Sequence, residues 1–363
     1  MTPGGPIFVT ARFRSGSTLI WNLLRQVKGL TTYYEPCHDN LLAHIQADTP
    51  VQDSHRCVAS YWDEYKPLVE ELPALHRHEF GVTDLLLEAA DEWPGLEKYI
   101  GALIERSPER PVLQFNRMDF RLPWLKARFP NATTIHLFRN PRDQWHSMTR
   151  GLPEDRRPHP DENAYDLVLW AVALSGSFPF LLGPHIDHSY KRHYLLWRLS
   201  YLMGRRLSDL SLSFDEDFCR HPETGAARLL AVAGVTEMDA AALIPFVEAP
   251  SPLSRPSLPL AGEFARMEDE CDALLEQLGL VERFGLAPLA QIRRDHGSAW
   301  TPFEQTALAE TARLGSRTFS TMRSKYIDIV RRLRELGVNA RNVELALQRT
   351  ERELTEWKTT LGS

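Results

Sequence analysis

The segment from Pro6 to Val27 constrains the fold more than any other. Pro6–Thr10 (PIFVT) is a short apolar run suited to a strand. A loop of Arg, Ser and Gly follows, and then Leu19, Leu23, Leu24 and Val27 recur at helical spacing. The pattern of strand and helix continues along the chain. Thr31–Glu35 (TTYYE), Pro111–Phe115 (PVLQF), Thr133–Phe138 (TTIHLF) and Leu210–Phe214 (LSLSF) read as further strands. Helices are expected over Asp84–Ala90, Leu96–Glu105, Pro123–Arg128, Pro222–Val232 and Ala240–Val247, and in a segment opening with Pro141 at its first turn. Strands alternating with helices predict an α/β fold, a three-layer arrangement with a parallel sheet covered on both faces.

The C-terminal part has a different character. Residues 250–260 (PSPLSRPSLPL) are Pro/Ser-rich and read as a linker. Further on, Thr301-Pro302-Phe303-Glu304 has the form of a capping box that opens a helix. From Met322 through Tyr326, Ile329, Leu333, Leu336, Ala340, Val343, Leu347, Thr350, Leu354, Trp357 and Leu361 runs a heptad-like stripe, interrupted at Gly337 and Asn339 and weakened as a seam by Ala340 and Thr350. Two readings fit it: two helices packed on the parent domain, or a tail that makes a homodimer. The expected organisation is a catalytic domain over 1–285 and a helical C-terminal appendage over 286–363.

Composition excludes several classes. The chain has 363 residues, 43% hydrophobic and 25% charged, which suits a soluble globular protein. A net charge of −6 leaves no global basic footprint for nucleic acid, so an anionic ligand must be held by a local cluster. Cys37, Cys57, Cys219 and Cys271 form no C-x-x-C pair, so neither a metal site nor a disulfide framework is expected. A reducing, cytoplasmic compartment is the simpler reading, and the N-terminus lacks the basic region of a signal peptide. Leu167–Ile186 is free of Asp, Glu, Lys and Arg for about the length of a spanning helix. Gly176, Pro179, Gly183 and Pro184 break it, so a buried helix ending near Ser177 is expected rather than an integral membrane span.

Two clusters carry chemistry. Thr10-Ala11-Arg12-Phe13-Arg14-Ser15-Gly16-Ser17-Thr18 lies between strand and helix, where backbone N–H groups cradle phosphates. It looks like a Walker A loop, hence a P-loop NTPase-like core, but Ala11 takes the first Gly position and Ser17 the Lys position. Arg14 supplies a charge from inside the loop. In the second cluster, Arg139 ends a strand and Ser147 sits two helical turns into the next helix, so both can flank one anion.

In this order the two clusters resemble the sulfotransferases that use 3′-phosphoadenosine 5′-phosphosulfate (PAPS). The resemblance lies in FRSGST at 13–18, IHLFRNPRDQWHS at 135–147 and SFDEDFCRHPETGAARLLAVAGV at 213–235, and is greater to the carbohydrate and bacterial branches than to the branch acting on phenols and steroids. It implies that Arg14 meets the 5′-phosphosulfate and that Ser15, Gly16, Ser17 and Thr18 bind the 5′-phosphate. Arg139 and Ser147 would grip the 3′-phosphate, leaving adenosine 3′,5′-bisphosphate as product. It further implies a hydroxyl acceptor on a carbohydrate, glycolipid or natural product, and a general base. Glu35, in Tyr34-Glu35-Pro36, fits a base through its place beyond the second strand, and His38 is the rival. Asn116-Arg117 stand where relatives place a basic residue. Asp215-Glu216-Asp217 reads as an acidic helix start, Ser254-Arg255 as a loop, and Tyr61-Trp62-Asp63-Glu64-Tyr65 as either acceptor pocket or core. The other functional readings are a P-loop kinase, which the missing Walker lysine disfavours, and a non-catalytic nucleotide-binding assembly protein.

Overall fold

The apolar runs pair into one parallel sheet. The computed structural model describes residues 4–51, 55, 57–247, 261–283 and 288–335, with the backbone alone for 261, 282, 283 and 316–335. Its strands are β1 (Ile7–Ala11), β2 (Leu30–Tyr34), β3 (Arg110–Phe115), β4 (Thr133–Phe138) and β5 (Leu210–Ser213), in the order β2-β3-β1-β4-β5. Each neighbouring pair is parallel, with Val9 facing Gln114 on one side and Ile135 on the other. The chain leaves the central β1 for the edge strand β2, returns through β3 and crosses to β4. A crevice therefore opens at the carboxyl ends of the strands, where such sheets bind ligands.

Side chains alternate across the pleat and fill a core on each face. Phe8, Tyr33, Leu113 and Phe115 pack with Trp21, Tyr65, Tyr99 and Trp124. Ile7, Val9, Ala11, Val112, Ile135, Leu137 and Leu212 pack with Ile20, Leu23, Leu24 and Leu229. The covering helices of the first half are α1 (Ser17–Arg25), α2 (Leu41–Gln46), α3 (Leu72–Leu75), α4 (Pro94–Glu105), α5 (Leu122–Arg128) and α6 (Pro141–Thr149). They are followed by α7 (Leu167–Leu174), α8 (Ser189–Leu207), a π-helical turn over Phe214–Arg220, and α9 (Pro222–Val232). Beyond them lie α10 (Ala261–Gln277), α11 (Leu280–Arg283) and α12 (Leu289–Glu335). No helix among the described residues is long and apolar enough to cross a membrane.

Two local expectations fail for identifiable reasons. Asp84–Ala90 forms no helix. The guanidinium of Arg121, itself 0% exposed, takes the carbonyls of Phe80, Thr83 and Asp84 at 2.7, 2.5 and 2.8 Å. Asp84 turns left-handed there, at φ 42°, so the backbone bonds a side chain instead of itself. Thr301-Pro302 does not open a helix either. α12 starts at Leu289, breaks its helical angles at His296 and runs on through Pro302. Thr301 Oγ1 donates back to the Gly297 carbonyl at 3.1 Å, so the hydroxyl bonds within the helix rather than capping it. Ala240–Phe246 is a 3₁₀ helix with Pro245 inside.

Residues Met1–Ala307 form one compact unit and Leu308–Ser363 a second, so the division falls within α12. The linker at 250–260, Ser254-Arg255, Gly337, Asn339 and the side chains of the heptad-like stripe lie outside the described residues.

Candidate active site

The loop after β1 is shaped by two left-handed residues, Arg14 at φ 63° and Gly16 at φ 94°. At Gly16 a side chain is excluded twice over: by that angle, and because a Cβ would lie 2.3 Å from a ring carbon of Phe214. Gly16 is the N-cap of α1, which has no side-chain cap and no acidic residue in its first turn. Its leading N–H groups are thus left for an anion, on the positive end of the helix dipole. Thr18 Oγ1 lies 3.0 Å from Tyr34 Oη, and burial pushes that phenol well up from its ordinary pKa.

The second cluster closes on this loop. Arg14 Nε donates to Ser147 Oγ at 3.0 Å, and Arg139 Nη1 to the Arg14 carbonyl at 3.3 Å. The remaining ring of support comes from α6, whose Gln144 Nε2 donates to the Phe13 carbonyl at 2.5 Å and to Ser15 Oγ at 3.0 Å. α6 is itself started by Asn140, whose side chain accepts from Arg142 N and Asp143 N. The Asn140 N–H donates to Asp215 at 2.8 Å, and Ser213 caps the following turn, so the acidic stretch 215–217 is structural, as expected. Arg139 lies over the Phe214 ring at 4.9 Å, and burial lowers its pKa. Its Nε is buried with no hydrogen-bond partner among the described residues. A buried cationic donor without a partner is costly, and an anion satisfies it.

Glu35 stands just past β2 at φ 42°, buried, on the same cleft. Asn116 Nδ2 donates to its Oε1 at 2.5 Å and Arg117 Nη1 reaches Oε2 at 3.5 Å. Arg117 also holds Asp39 at 3.2 Å and lies over the Phe13 ring at 4.9 Å. Burial raises the pKa of Glu35, while Arg117 and the hydrogen bonds from Tyr34 and Asn116 pull the other way and Asp39 adds to the rise.

The cleft has a volume of about 240 Å³ and is lined by Arg14, Gly16, Ser17, Thr18, Glu35 and Arg139 of the expected set. Ser15 lies beneath it, its hydroxyl held by Gln144, and Ser147 is reached through Arg14. His38 is not part of the lining. Its Nδ1 accepts from the Asn40 N–H at 3.0 Å, and burial lowers its pKa to about 4. Tyr61, Trp62 and Tyr65 are buried, with Tyr61 stacked on Tyr34 at 4.6 Å, which selects the core reading for that stretch.

Sequence reasoning missed several contributors. Gln144 and Phe214 act through contacts that no local motif marks. His55 lines the cleft and lies 2.5 Å from Tyr61 Oη, with its pKa lowered to about 4, first by burial and then by Arg14. Arg12, a loop residue not given a role, forms a buried pair with Asp119 at 3.5 Å and lies 4.4 Å over Trp170. A group of three or more metal-ligating side chains is absent among the described residues.

Residues 6–176, slightly under half of the chain, match the model of the sulfotransferase family. No curated protein matches it. Among solved structures the chain is similar to the sulfotransferase domain from the curacin biosynthetic pathway, at 15% identity. That likeness covers 75% of this chain and 99% of the other, with a TM-score of 0.39, and the fold is read from the sheet itself rather than from it.

Proposed function

We propose that the protein transfers a sulfuryl group from PAPS to a hydroxyl of a carbohydrate, glycolipid or natural-product acceptor. The observation that carries this is the convergence of Arg14, Arg139 and Ser147 beside the uncapped start of α1, with Arg139 Nε buried and unpartnered among the described residues. A donor with a 3′-phosphate as well as a 5′-phosphosulfate needs two anion contacts on one cleft. Gly16, Ser17 and Thr18 serve the 5′ side through backbone N–H and hydroxyl groups, and Arg139 with Ser147 the 3′ side. The ring of Phe214 offers an apolar surface between them.

In the reaction the S–O bond to the donor phosphate breaks as the bond from sulfur to the acceptor oxygen forms. The hydroxyl proton passes to Glu35, and adenosine 3′,5′-bisphosphate leaves. Arg14, with Nε on Ser147, keeps its two terminal nitrogens for the charge that grows on the departing phosphate oxygen. Burial raises the pKa of Glu35 and so makes it a better proton acceptor than an exposed carboxylate, and Asn116 and Arg117 orient it. The rest of the rate comes from positioning the reacting oxygens in line.

A thermal-shift panel tests the donor. Adenosine 3′,5′-bisphosphate is expected to stabilise the chain and ATP-Mg to do so far less. The reverse result would favour a kinase. Bisphosphate binding without transfer from labelled PAPS to any member of an acceptor library would instead favour a non-catalytic protein. We assign the catalytic role to the N-terminal 285 residues and leave the appendage a possible homodimer contact. Light scattering on a chain ending near residue 315 tests the latter, with an unchanged oligomer retiring it.

A further inference from the structure

We infer that Asp119, acting through Arg12, is a positioning residue for the transfer: this buried pair sets the donor loop at a fixed distance from the segment that holds Glu35. The inference rests on the donor and base assignments above. The sheet brings the two segments together. β1 and β3 are parallel neighbours, and their register ends with Thr10 opposite Phe115. Arg12, Phe13 and Arg14 follow one strand just past that level, and Asn116, Arg117 and Asp119 follow the other. No backbone hydrogen bond joins residues 12–14 to 116–119 among the described residues. Side chains span the gap.

Three contacts do so. Arg12 Nη1 lies 3.5 Å from Asp119 Oδ2, and both side chains are buried. The Arg117 guanidinium lies 4.9 Å over the Phe13 ring. Trp170 of α7 packs against both segments at once. Arg12 sits 4.4 Å over its ring, which lies 6.1 Å from the ring of Phe13 and 6.1 Å from that of Phe120. Arg14 comes two residues after Arg12, and Asn116 and Arg117 are the groups that hold Glu35. A displacement of Arg12 or Asp119 is therefore felt at the departing phosphate on one side and at the base on the other.

Stability alone does not account for the pair. Burial raises the pKa of Asp119 and lowers that of Arg12, each toward its uncharged form. Their mutual attraction and the Ser200 hydroxyl offset only part of that at Asp119. A buried ion pair of this kind stabilises a fold no better than packed apolar side chains of similar size. What the charges add is a fixed direction and separation between loop and base segment. In-line transfer needs both, because a misplacement of about 1 Å between reacting groups costs about a hundredfold in rate.

The test compares the full-length wild-type chain with Asp119→Leu, Arg12→Met and the two changes combined. Each is read for stability in urea, for calorimetric affinity toward adenosine 3′,5′-bisphosphate, and for kcat and KM with labelled PAPS and the library acceptor that the wild-type chain sulfates. Either single change leaves a buried charge without its partner and should lower stability. The double variant should regain stability and hold the bisphosphate within about threefold, yet keep a kcat about tenfold or more below wild type with KM for PAPS little changed. Wild-type kcat in the double variant overturns the proposal, because the pair then only packs. So does a bisphosphate affinity that falls as far as kcat, which would make the pair part of donor binding. Asp119→Asn keeps the side-chain shape and serves if the double variant does not fold. Its kcat, counted per bisphosphate-binding site, should fall about fivefold or more, and an unchanged value overturns the proposal. A wild-type chain that transfers nothing, or Glu35→Gln with full turnover, is a separate result, read before any change to the pair: it removes the base reading and this inference with it.

Discussion

The two ends of the cleft are built from different materials. At the proposed donor end, the groups assigned to the anion sit on regular elements: Gly16 starts α1, Arg139 follows the last residue of β4 and Ser147 lies in α6. Much of that end is backbone, and its supports, such as Gln144 on the Phe13 carbonyl, hold main chain in place. At the base end, Glu35 and Arg117 lie in irregular segments just past β2 and β3, and side chains hold side chains: Asn116 and Arg117 on Glu35, Arg117 on Asp39. A donor shared by many acceptors suits a main-chain cradle that few substitutions can alter. The end proposed to meet the acceptor is adjustable one residue at a time with little consequence for the sheet.

Substitutions at the two ends should therefore separate binding from turnover. The largest effect is expected for Glu35→Gln, a fall in turnover of about 10²- to 10⁴-fold with bisphosphate affinity within about twofold. Quenched-flow transfer from labelled PAPS and calorimetry measure the two; joint loss would show that the ends are not separable. Arg14→Ala should lower turnover by about 10²- to 10³-fold and also weaken the bisphosphate, because Arg14 is assigned to the donor and also holds Ser147. Gly16→Ala places a Cβ against Phe214 in a left-handed position and should destabilise the fold by about 1–3 kcal/mol, read by urea titration, with loss of bisphosphate binding.

Arg117→Met tests how the base end is tuned. As the proposed base, Glu35 would work only when ionised, so activity is expected to fall as pH drops through its pKa. Arg117 holds that pKa down against the effect of burial. Removing the guanidinium should move the acid limb of the pH–rate profile upward by about one unit or more. A limb that stays put would show that Arg117 merely packs. The raised pKa also means that the folded chain holds this proton more tightly than the unfolded one. The contribution of Glu35 to stability therefore grows as pH falls through the raised value toward its ordinary 4.5, and is unfavourable above it. The smallest effect is expected for Asn140→Ala, which uncaps α6 and should lower stability by about 1 kcal/mol in thermal melts, with turnover reduced only slightly.

How much of this was legible in the sequence follows the same division. The strands were readable because β1 to β5 are short stretches of apolar and β-forming residues, and Thr133–Phe138 matched to the residue. Arg14, Gly16 and Arg139 were readable because a strand, a short loop and a helix cap are local objects. Gln144 on the loop, Phe214 over Gly16 and His55 in the cleft join positions far apart in sequence, and no period or motif marks such a meeting. Asn116-Arg117 stood out as a pair, but that they face Glu35 depends on β2 and β3 being neighbours in the sheet. Asp84–Ala90 misled because its helical pattern competes with a guanidinium supplied from residue 121.

The contact of Phe214 with Gly16 bears on how this gene segment can be cut and reused. The match to the family ends at residue 176, yet the aromatic ring that packs on the loop glycine comes 38 positions later, after β5 has completed the sheet. A fragment ending at 176 would keep every motif residue from Arg14 to Ser147 and still lack β5, Phe214 and the Asp215 carboxylate that receives the Asn140 N–H. The smallest exchangeable module for recombination with related chains therefore reaches at least to Arg220, where that turn closes, and does not stop where the family match ends.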